Sequence, residues 1–535
     1  MSSIILLHLN GVFVRSSRLS RGVGMGSTTN ISRRSGTKTL ASLVAHDSAL
    51  TILGHPDAEI TGISIDSREV RPGDLFAALR GSYYDGHAFA EQAIAAGAGA
   101  LLVQERVDTR IPQVVASDSR AALSGIAAAY FDHPSSRLSV IGVTGTDGKT
   151  TTCSLIDDVL RTNGGRTGLI GTIAVRIADQ TLVHETRQTT PESVEVQRYL
   201  RSMVDAGVEW SIVEATSHGL DLHRLDDVDF RIAAVTNISH EHLEHHKTIA
   251  AYSRAKGLLF ERVRARGGTA VVNLDDAGAC EMLGYASGTS VVTYAIQNQS
   301  ADVRADDVKS DVSGSAFLLR LQGTVLECRL PMVGDFNVEN ALCAAAVGLS
   351  AAVPATVIRD ALEHPTPVMG RMMAVDEGQP FGVLVDYAHT PESLKKVLSL
   401  LRSIIGGGRV IVVSGSAGER DVEKRPLQGA VCQLLADLSV FTTEDPRFED
   451  PEKIIAEIAA GAIAAGGVDG HTIVRITDRR QAVRHALHSA STGDVVLLAG
   501  KGHEKSIIWG LEKRPWDEDQ VARELLHELG YRKFL

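Results

Sequence analysis

Aromatic side chains make up only 4% of the 535 residues, while alanine and glycine are abundant, a balance that suits alternating helices and parallel strands. No apolar run is long enough to span a bilayer, which excludes a membrane-spanning helix. Positive charge is also in short supply. The net charge is −11, and without a basic stripe to neutralise phosphates along a duplex the chain is no general nucleic-acid binder. Any anion must be bound by local clusters. Cysteine is scarce and scattered, at Cys153, Cys280, Cys328, Cys343 and Cys432, without metal-ligand spacing, so a reducing compartment and no disulfide framework are expected. One stretch lacks acidic residues: none precedes Asp47, whereas Arg15, Arg18, Arg21, Arg33, Arg34 and Lys38 lie among many serines. The composition of residues 1–45 resembles an organelle transit peptide, and also fits a disordered tail or an upstream start with Met25 as the true beginning. It is set apart from the folded units.

The remaining length suits about three α/β domains. The most informative stretch runs from Val140 to Leu155 and contains Gly145-Thr-Asp-Gly-Lys-Thr-Thr151. A β-branched run from Leu138 to Val143 predicts a strand, the two glycines bracket a tight turn, and Leu155, Ile156, Val159 and Leu160 carry helical spacing. Such a loop binds phosphate. Backbone N–H groups converge on the oxygens, the helix start adds partial positive charge, Lys149 supplies a cation and Thr150 can ligate Mg²⁺.

Three units follow from the patterning. Residues 46–136 alternate short strands and polar turns. There the Asp66-Ser67-Arg68 loop fits either a polar ligand or a turn with capping residues. Residues 137–366 hold the phosphate loop. Within them a strand over Glu209 to Val213 delivers Glu214 to the carboxyl edge of a parallel sheet, where ligands collect, beside Thr150. A strand over Ile232 to Thr236 then leads into a dense cluster, Asn237-Ile-Ser-His-Glu-His-Leu-Glu-His-His246. Alone this cluster would suit zinc; beside a phosphate loop an oxygen-rich Mg²⁺ environment fits better. Lys256, on a helix from Ile249 to Val263, is either a solvated charge or an amine able to form a carbamate with CO₂. Residues 367–535 alternate strands (Val383–Tyr387, Val410–Ser414, Leu438–Thr442, Val495–Ala499) with helices, as a doubly wound sheet requires.

The series Thr144-Gly-Thr-Asp-Gly-Lys-Thr-Thr151, Glu214-Ala-Thr-Ser-His-Gly219, Thr236-Asn-Ile-Ser-His-Glu-His-Leu-Glu244, Ala255-Lys256, Asn273-Leu-Asp-Asp276, Gly370-Arg-Met372, Asp386-Tyr-Ala-His-Thr-Pro391, Asp445-Pro-Arg447 and Gly500-Lys-Gly-His-Glu504 resembles the Mur ligases of peptidoglycan synthesis. The motifs resemble in particular the branch that adds a diamino acid to UDP-N-acetylmuramoyl-L-alanyl-D-glutamate, and the resemblance covers nearly everything after His46. It implies three domains: an N-terminal uridine-nucleotide domain, a central P-loop ATPase with a parallel sheet, and a C-terminal Rossmann-like domain that admits the amino acid. It also implies an ATP-dependent, ADP-forming ligase working through an acyl phosphate, in a bacterial cytoplasm and as a monomer.

By the same resemblance, Lys149, Glu214, His242 and Lys256 are catalytic; Thr150, Glu214, His242 and carbamylated Lys256 hold Mg²⁺. ATP is contacted by Gly145, Thr146, Asp147, Gly148, Lys149, Thr150, Thr151, Asn273, Arg371 and Asp386. The uridine substrate meets Ile65, Ser67, Ser82, Tyr83, Tyr84, Gln188, Thr189, Thr190, Thr216, Leu222 and Arg224. The amino acid meets Arg420, Glu444, Asp445, Pro446, Arg447, Gly500 and Glu504.

Four departures stand out: Asp147 for asparagine, His240-Glu241 for arginine-aspartate, Leu222 for a polar residue, and Glu444-Asp-Pro-Arg447 where diaminopimelate-adding members carry aspartate-asparagine-proline-arginine. Arg447 suits the distal carboxylate of meso-diaminopimelate. Asp445 would repel it unless Arg447 or Arg420 compensates, which keeps L-lysine and L-ornithine open. A folylpolyglutamate synthetase and a non-catalytic Mur-like plastid scaffold are the competing functions.

Overall fold

The computed structural model describes residues 36–533, apart from 82–83, 184–187, 240, 242 and 312–313. Three main sheets organise the chain. The first has five strands in the order Thr51–Leu53, Gln113–Val115, Ala100–Val103, Asp74–Ala77 and Gly62–Ser64, parallel except for the first. Helix Ser119–Tyr130 buries Leu123, Ile126 and Tyr130 against it.

The central sheet has eleven strands, with Ser139–Thr144 in its interior between Trp210–Glu214 and Phe230–Val235, all three parallel. Period-two alternation sends Ile141 and Val143 to one face and Val140 to the other, so each face carries its own apolar core. On one side lie the helices Lys149–Thr162 and Asp335–Ser350; on the other, Ile249–Ala265 contributes Tyr252, Leu259, Phe260 and Val263. The expected parallel sheet continues to Val303–Asp311, which pairs parallel with Ser290–Ala295, and antiparallel hairpin strands extend it at both edges: Ala174–Ile177 with Gln180–Val183, and Gly314–Leu321 with Thr324–Leu330. Short connections explain them, because two or three residues allow a hairpin but not a parallel crossover.

The third sheet orders Met373–Ala374, Gly382–Asp386, Val495–Ala499, Val410–Ser414, Leu438–Phe441 and Ile473–Arg475, parallel apart from the short first strand. Helices cover both of its faces. All five cysteines are free thiols, and among the described residues no helix is long and apolar enough to cross a membrane.

Candidate active site

The phosphate loop leaves strand Ser139–Thr144 at its carboxyl end and enters helix Lys149–Thr162. Its glycines are required by space. At Gly145 (φ +146°) a Cβ would lie 1.9 Å from Thr236 Oγ1, and at Gly148 (φ +83°) 2.2 Å from Asn340 Oδ1. The neighbouring turn pins the loop: Thr146 N donates to Asn237 O (2.7 Å), Asp147 N to Asn237 Oδ1 (3.0 Å) and Ser239 N to Thr146 Oγ1 (2.9 Å). Lys149 Nζ donates to the carbonyls of Gly145 (2.9 Å) and Thr146 (2.8 Å).

Glu214 faces Val143 across the parallel ladder, which puts its carboxylate beside the loop. It is fully buried and accepts from Thr150 Oγ1 (3.0 Å), Thr172 Oγ1 (2.8 Å) and Thr172 N (2.8 Å). The side-chain oxygens of Thr150, Thr172 and Glu214 form the type of set that a hard divalent cation takes. Thr172 escaped the sequence reading. Its signal was available, since it follows a parallel strand at the same sheet edge.

Lys256 is buried; its Nζ donates to Gly145 O (2.7 Å) and lies 4.4 Å from the centre of the Tyr252 ring. Burial, and then the nearby Lys149, hold this amine well below its ordinary pKa, a shift toward the neutral, nucleophilic form. His242 lies outside the described residues.

A cavity of about 410 Å³ runs from the loop to the C-terminal domain. Gly148, Lys149, Thr150 and Thr151 line it from the phosphate-loop side, and Arg371, Asp386, His389, Lys396 and Arg420 from the C-terminal domain. Asp386 accepts from Met372 N and Ala388 N (both 2.7 Å); burial raises its pKa against the opposing pull of Arg371. Lys396, which no motif announced, projects from helix Pro391–Ile404 to within 3.8 Å of Asp147 Oδ2. Asp147 is pushed up by burial and by Glu241. Burial and Lys424 lower the pKa of His389 to about 4, against Glu241, whose Oε1 lies 3.8 Å from its Nε2.

Gln188, Thr189, Thr190, Thr216 and Arg224 also reach this cavity. Thr190 Oγ1 donates to Glu214 O (2.7 Å) and lies 2.9 Å from Thr216 Oγ1, while Arg224 Nη1 donates to Thr190 O (2.9 Å). Leu222, half-buried after helix Ser217–Asp221, does not line it. Nor do Ile65, Ser67 and Tyr84, which belong to the N-terminal domain: Ser67 Oγ donates to Gln92 Oε1 (3.0 Å) and Tyr84 is 69% exposed. Ser82 and Tyr83 lie outside the described residues. Asn273 is not brought into the cavity either. Its Nδ2 donates to Thr236 O (3.1 Å) and its Oδ1 accepts from Asp275 N (3.0 Å), so the amide ties the ends of neighbouring strands together.

A second cluster lies beyond Tyr387, whose ring has Arg371 at 4.9 Å, the His389 ring at 4.8 Å and the His503 ring at 5.1 Å. Buried Asp445 accepts from Lys501 Nζ (2.8 Å) and Ile508 N (2.9 Å), and Lys501 also pairs with Glu504. Lys501 therefore supplies a positive charge beside Asp445 that the sequence pattern does not point to. Pro446 is buried, and Arg447 (φ +55°) is bridged to the strand Ser506–Trp509 through Arg447 N donating to Ile508 O (3.0 Å). Glu444 is buried with its pKa raised, and its Oε2, which has no hydrogen-bond partner among the described residues, would lie 3.0 Å from a Cβ at Gly500.

A phosphate loop, a buried carboxylate at the adjacent strand end and a second parallel sheet across the cavity define a nucleotide-handling α/β protein. Comparison with known proteins narrows the class. Residues 59–136 match the Mur ligase family catalytic domain, 143–348 the Mur ligase middle domain and 370–502 the Mur ligase glutamate ligase domain. The UDP-N-acetylmuramyl-tripeptide synthetase of Roseiflexus sp. (strain RS-1) is 45% identical over 488 residues, 88% of this chain and 96% of that protein. The UDP-N-acetylmuramoyl-L-alanyl-D-glutamate--2,6-diaminopimelate ligase of Geobacillus kaustophilus (strain HTA426) is 41% identical over 482 residues, 89% and 96% of the two chains. A solved structure of a ligase of that second name is 30% identical with a TM-score of 0.63, covering 92% of this chain and 99% of its own. The chain belongs to the Mur ligase family, and it is an ATP-dependent, ADP-forming ligase joining an acid to an amino acid.

Proposed function

We propose that this enzyme adds meso-diaminopimelate to UDP-N-acetylmuramoyl-L-alanyl-D-glutamate, as a monomer in a bacterial cytoplasm, in peptidoglycan precursor synthesis. The observation that carries the reading is the cavity shared by the phosphate loop and the C-terminal sheet, with Tyr387 linking it to a buried charged cluster. A carboxylate is a poor electrophile. Transfer of the γ-phosphoryl group of ATP to the substrate's glutamate carboxylate makes an acyl phosphate; attack by the diamino acid's amine forms the amide bond and expels phosphate. Lys149 and the loop amides hold the phosphates in line, and Arg371 faces them from the other domain. Enclosure between the domains keeps water from the acyl phosphate.

The oxygen set of Thr150, Thr172 and Glu214 fits Mg²⁺, which when bound neutralises phosphate charge; His242 completes the metal-binding residues in this reading, with Lys256 as a carbamate. Carbamylation joins the neutral Lys256 amine to the carbon of CO₂ and releases one proton, a step favoured by its lowered pKa. Gln188, Thr189, Thr190, Thr216 and Arg224 serve the uridine substrate, together with Ser67 and its neighbours.

Two features support diaminopimelate over L-lysine or L-ornithine. Arg447 is able to grip a second carboxylate in bidentate fashion, and Lys501, shared between Asp445 and Glu504, offsets part of the charge of Asp445 that would oppose it. Glu444 suits the ammonium that all three amino acids carry, so it does not discriminate. Arg447→Ala should raise the KM for diaminopimelate at least about tenfold, as expected for losing a charge-assisted pair, with the KM for ATP unchanged. The reverse pattern would sink the assignment.

A further inference from the structure

The histidine-rich segment after strand Phe230–Val235 contains more ligating groups than the phosphate chemistry uses. His245 and His246 sit on the short helix Leu243–His246, and Asp221 ends the helix Ser217–Asp221 that follows Glu214. The fold brings them together: one ligand atom from each of the three lies within 4.8 Å of the others, and His245 Nε2 is 2.7 Å from Asp221 Oδ2. His218 stacks on His245 with ring centres 4.4 Å apart, and the His246 ring lies 4.6 Å from that of His245. The cluster also has an inner and an outer side. His246 is 7% exposed, whereas the side chains of His245 and Asp221 are 30% and 44% exposed, which leaves a path for an ion from solvent.

Two imidazoles and one carboxylate are the donor set of a borderline transition ion, not of magnesium, which prefers oxygen throughout. We propose that Asp221, His245 and His246 bind one divalent transition-metal ion of the zinc class, separate from the oxygen set at Thr150 and Glu214. Three protein ligands leave a fourth position for water. The site joins two chain segments that both border the nucleotide cavity, one through His218 and the other through Glu241. A bound ion would fix them to each other and brace the wall next to the phosphate loop. This inference is independent of which amino acid the enzyme adds.

The test uses the full chain freed of metal by chelation, then dialysed against Zn²⁺ with Mg²⁺ in large excess. One zinc per chain is expected at micromolar Zn²⁺, with a rise in melting temperature. D221N and H245Q, both at partly exposed positions, should each weaken zinc binding more than about 100-fold, beyond the cost of losing an outer partner of a metal ligand. Cobalt in the unmodified protein supplies a readout that does not depend on the variants: its d–d spectrum should report imidazole ligation with low coordination number. Failure to retain zinc against Mg²⁺, undiminished binding by either variant, or a cobalt spectrum of an all-oxygen octahedral site would overturn the proposal.

Discussion

Replacing Lys501 by methionine removes a cation that the C-terminal domain has enclosed. Its side chain is fully buried, Nζ lies 2.8 Å from Asp445 Oδ1, and the same ammonium pairs with Glu504. Methionine fills a similar volume but removes the ammonium from both Asp445, which keeps the amide of Ile508 as a donor at 2.9 Å, and Glu504. Breaking a buried pair from one side costs about 3–5 kcal/mol, because the remaining charge stays desolvated. The double variant Lys501→Met/Asp445→Asn should regain much of this, since a neutral amide still accepts from Ile508 N. Urea unfolding followed by tryptophan fluorescence reads the effect, as two of the three tryptophans, Trp509 and Trp516, lie in this domain. A loss below about 1 kcal/mol in the single variant, the scale of a solvated surface pair, would refute the buried-pair reasoning.

Other consequences are equally specific. Lys149→Ala should lower substrate-dependent phosphate release at least about 100-fold, the scale seen when a charge-stabilising donor is removed; unchanged turnover would take the phosphate loop out of the mechanism. Lys256→Ala should lose most activity and recover part of it with added short carboxylic acids, and an absence of rescue in folded protein would refute the carbamate. His389 is held neutral in the folded chain, with a pKa near about 4 against an ordinary 6.5. Between those values the unfolded chain binds more protons, so stability falls as pH drops through that window. His389→Gln should flatten the fall in melts recorded from about pH 7 to about pH 4; an unchanged slope would refute it.

Local pattern revealed the phosphate loop, because a glycine-bracketed turn before Lys149-Thr150 at a strand–helix junction has few other uses. It also placed Glu214, since a strand end in a parallel sheet points at the ligand edge. What local pattern could not reveal was pairing across distant segments. Lys501 and Asp445 are 56 positions apart and meet only because two neighbouring loops emerge from one sheet edge. Lys396 reaches Asp147 from another domain, and its helix spacing reads as an ordinary charged face. Asn273 ends a strand as expected, but which groups its amide satisfies depends on the adjacent strand rather than on its own sequence. The antiparallel edges of the central sheet are hard to read for a different reason: their strands, joined by two or three residues, carry little periodicity beside the longer β–α alternation.

The most direct test of the account offers the enzyme ATP, Mg²⁺ and UDP-N-acetylmuramoyl-L-alanyl-D-glutamate with meso-diaminopimelate, L-lysine or L-ornithine in separate reactions, following phosphate release and product mass. The account predicts a product with meso-diaminopimelate at a kcat/KM well above the other two. A preference for L-lysine or L-ornithine would contradict the role given to Arg447 and Lys501, and no product with any of them, from folded protein that binds ATP, would contradict the proposed reaction itself.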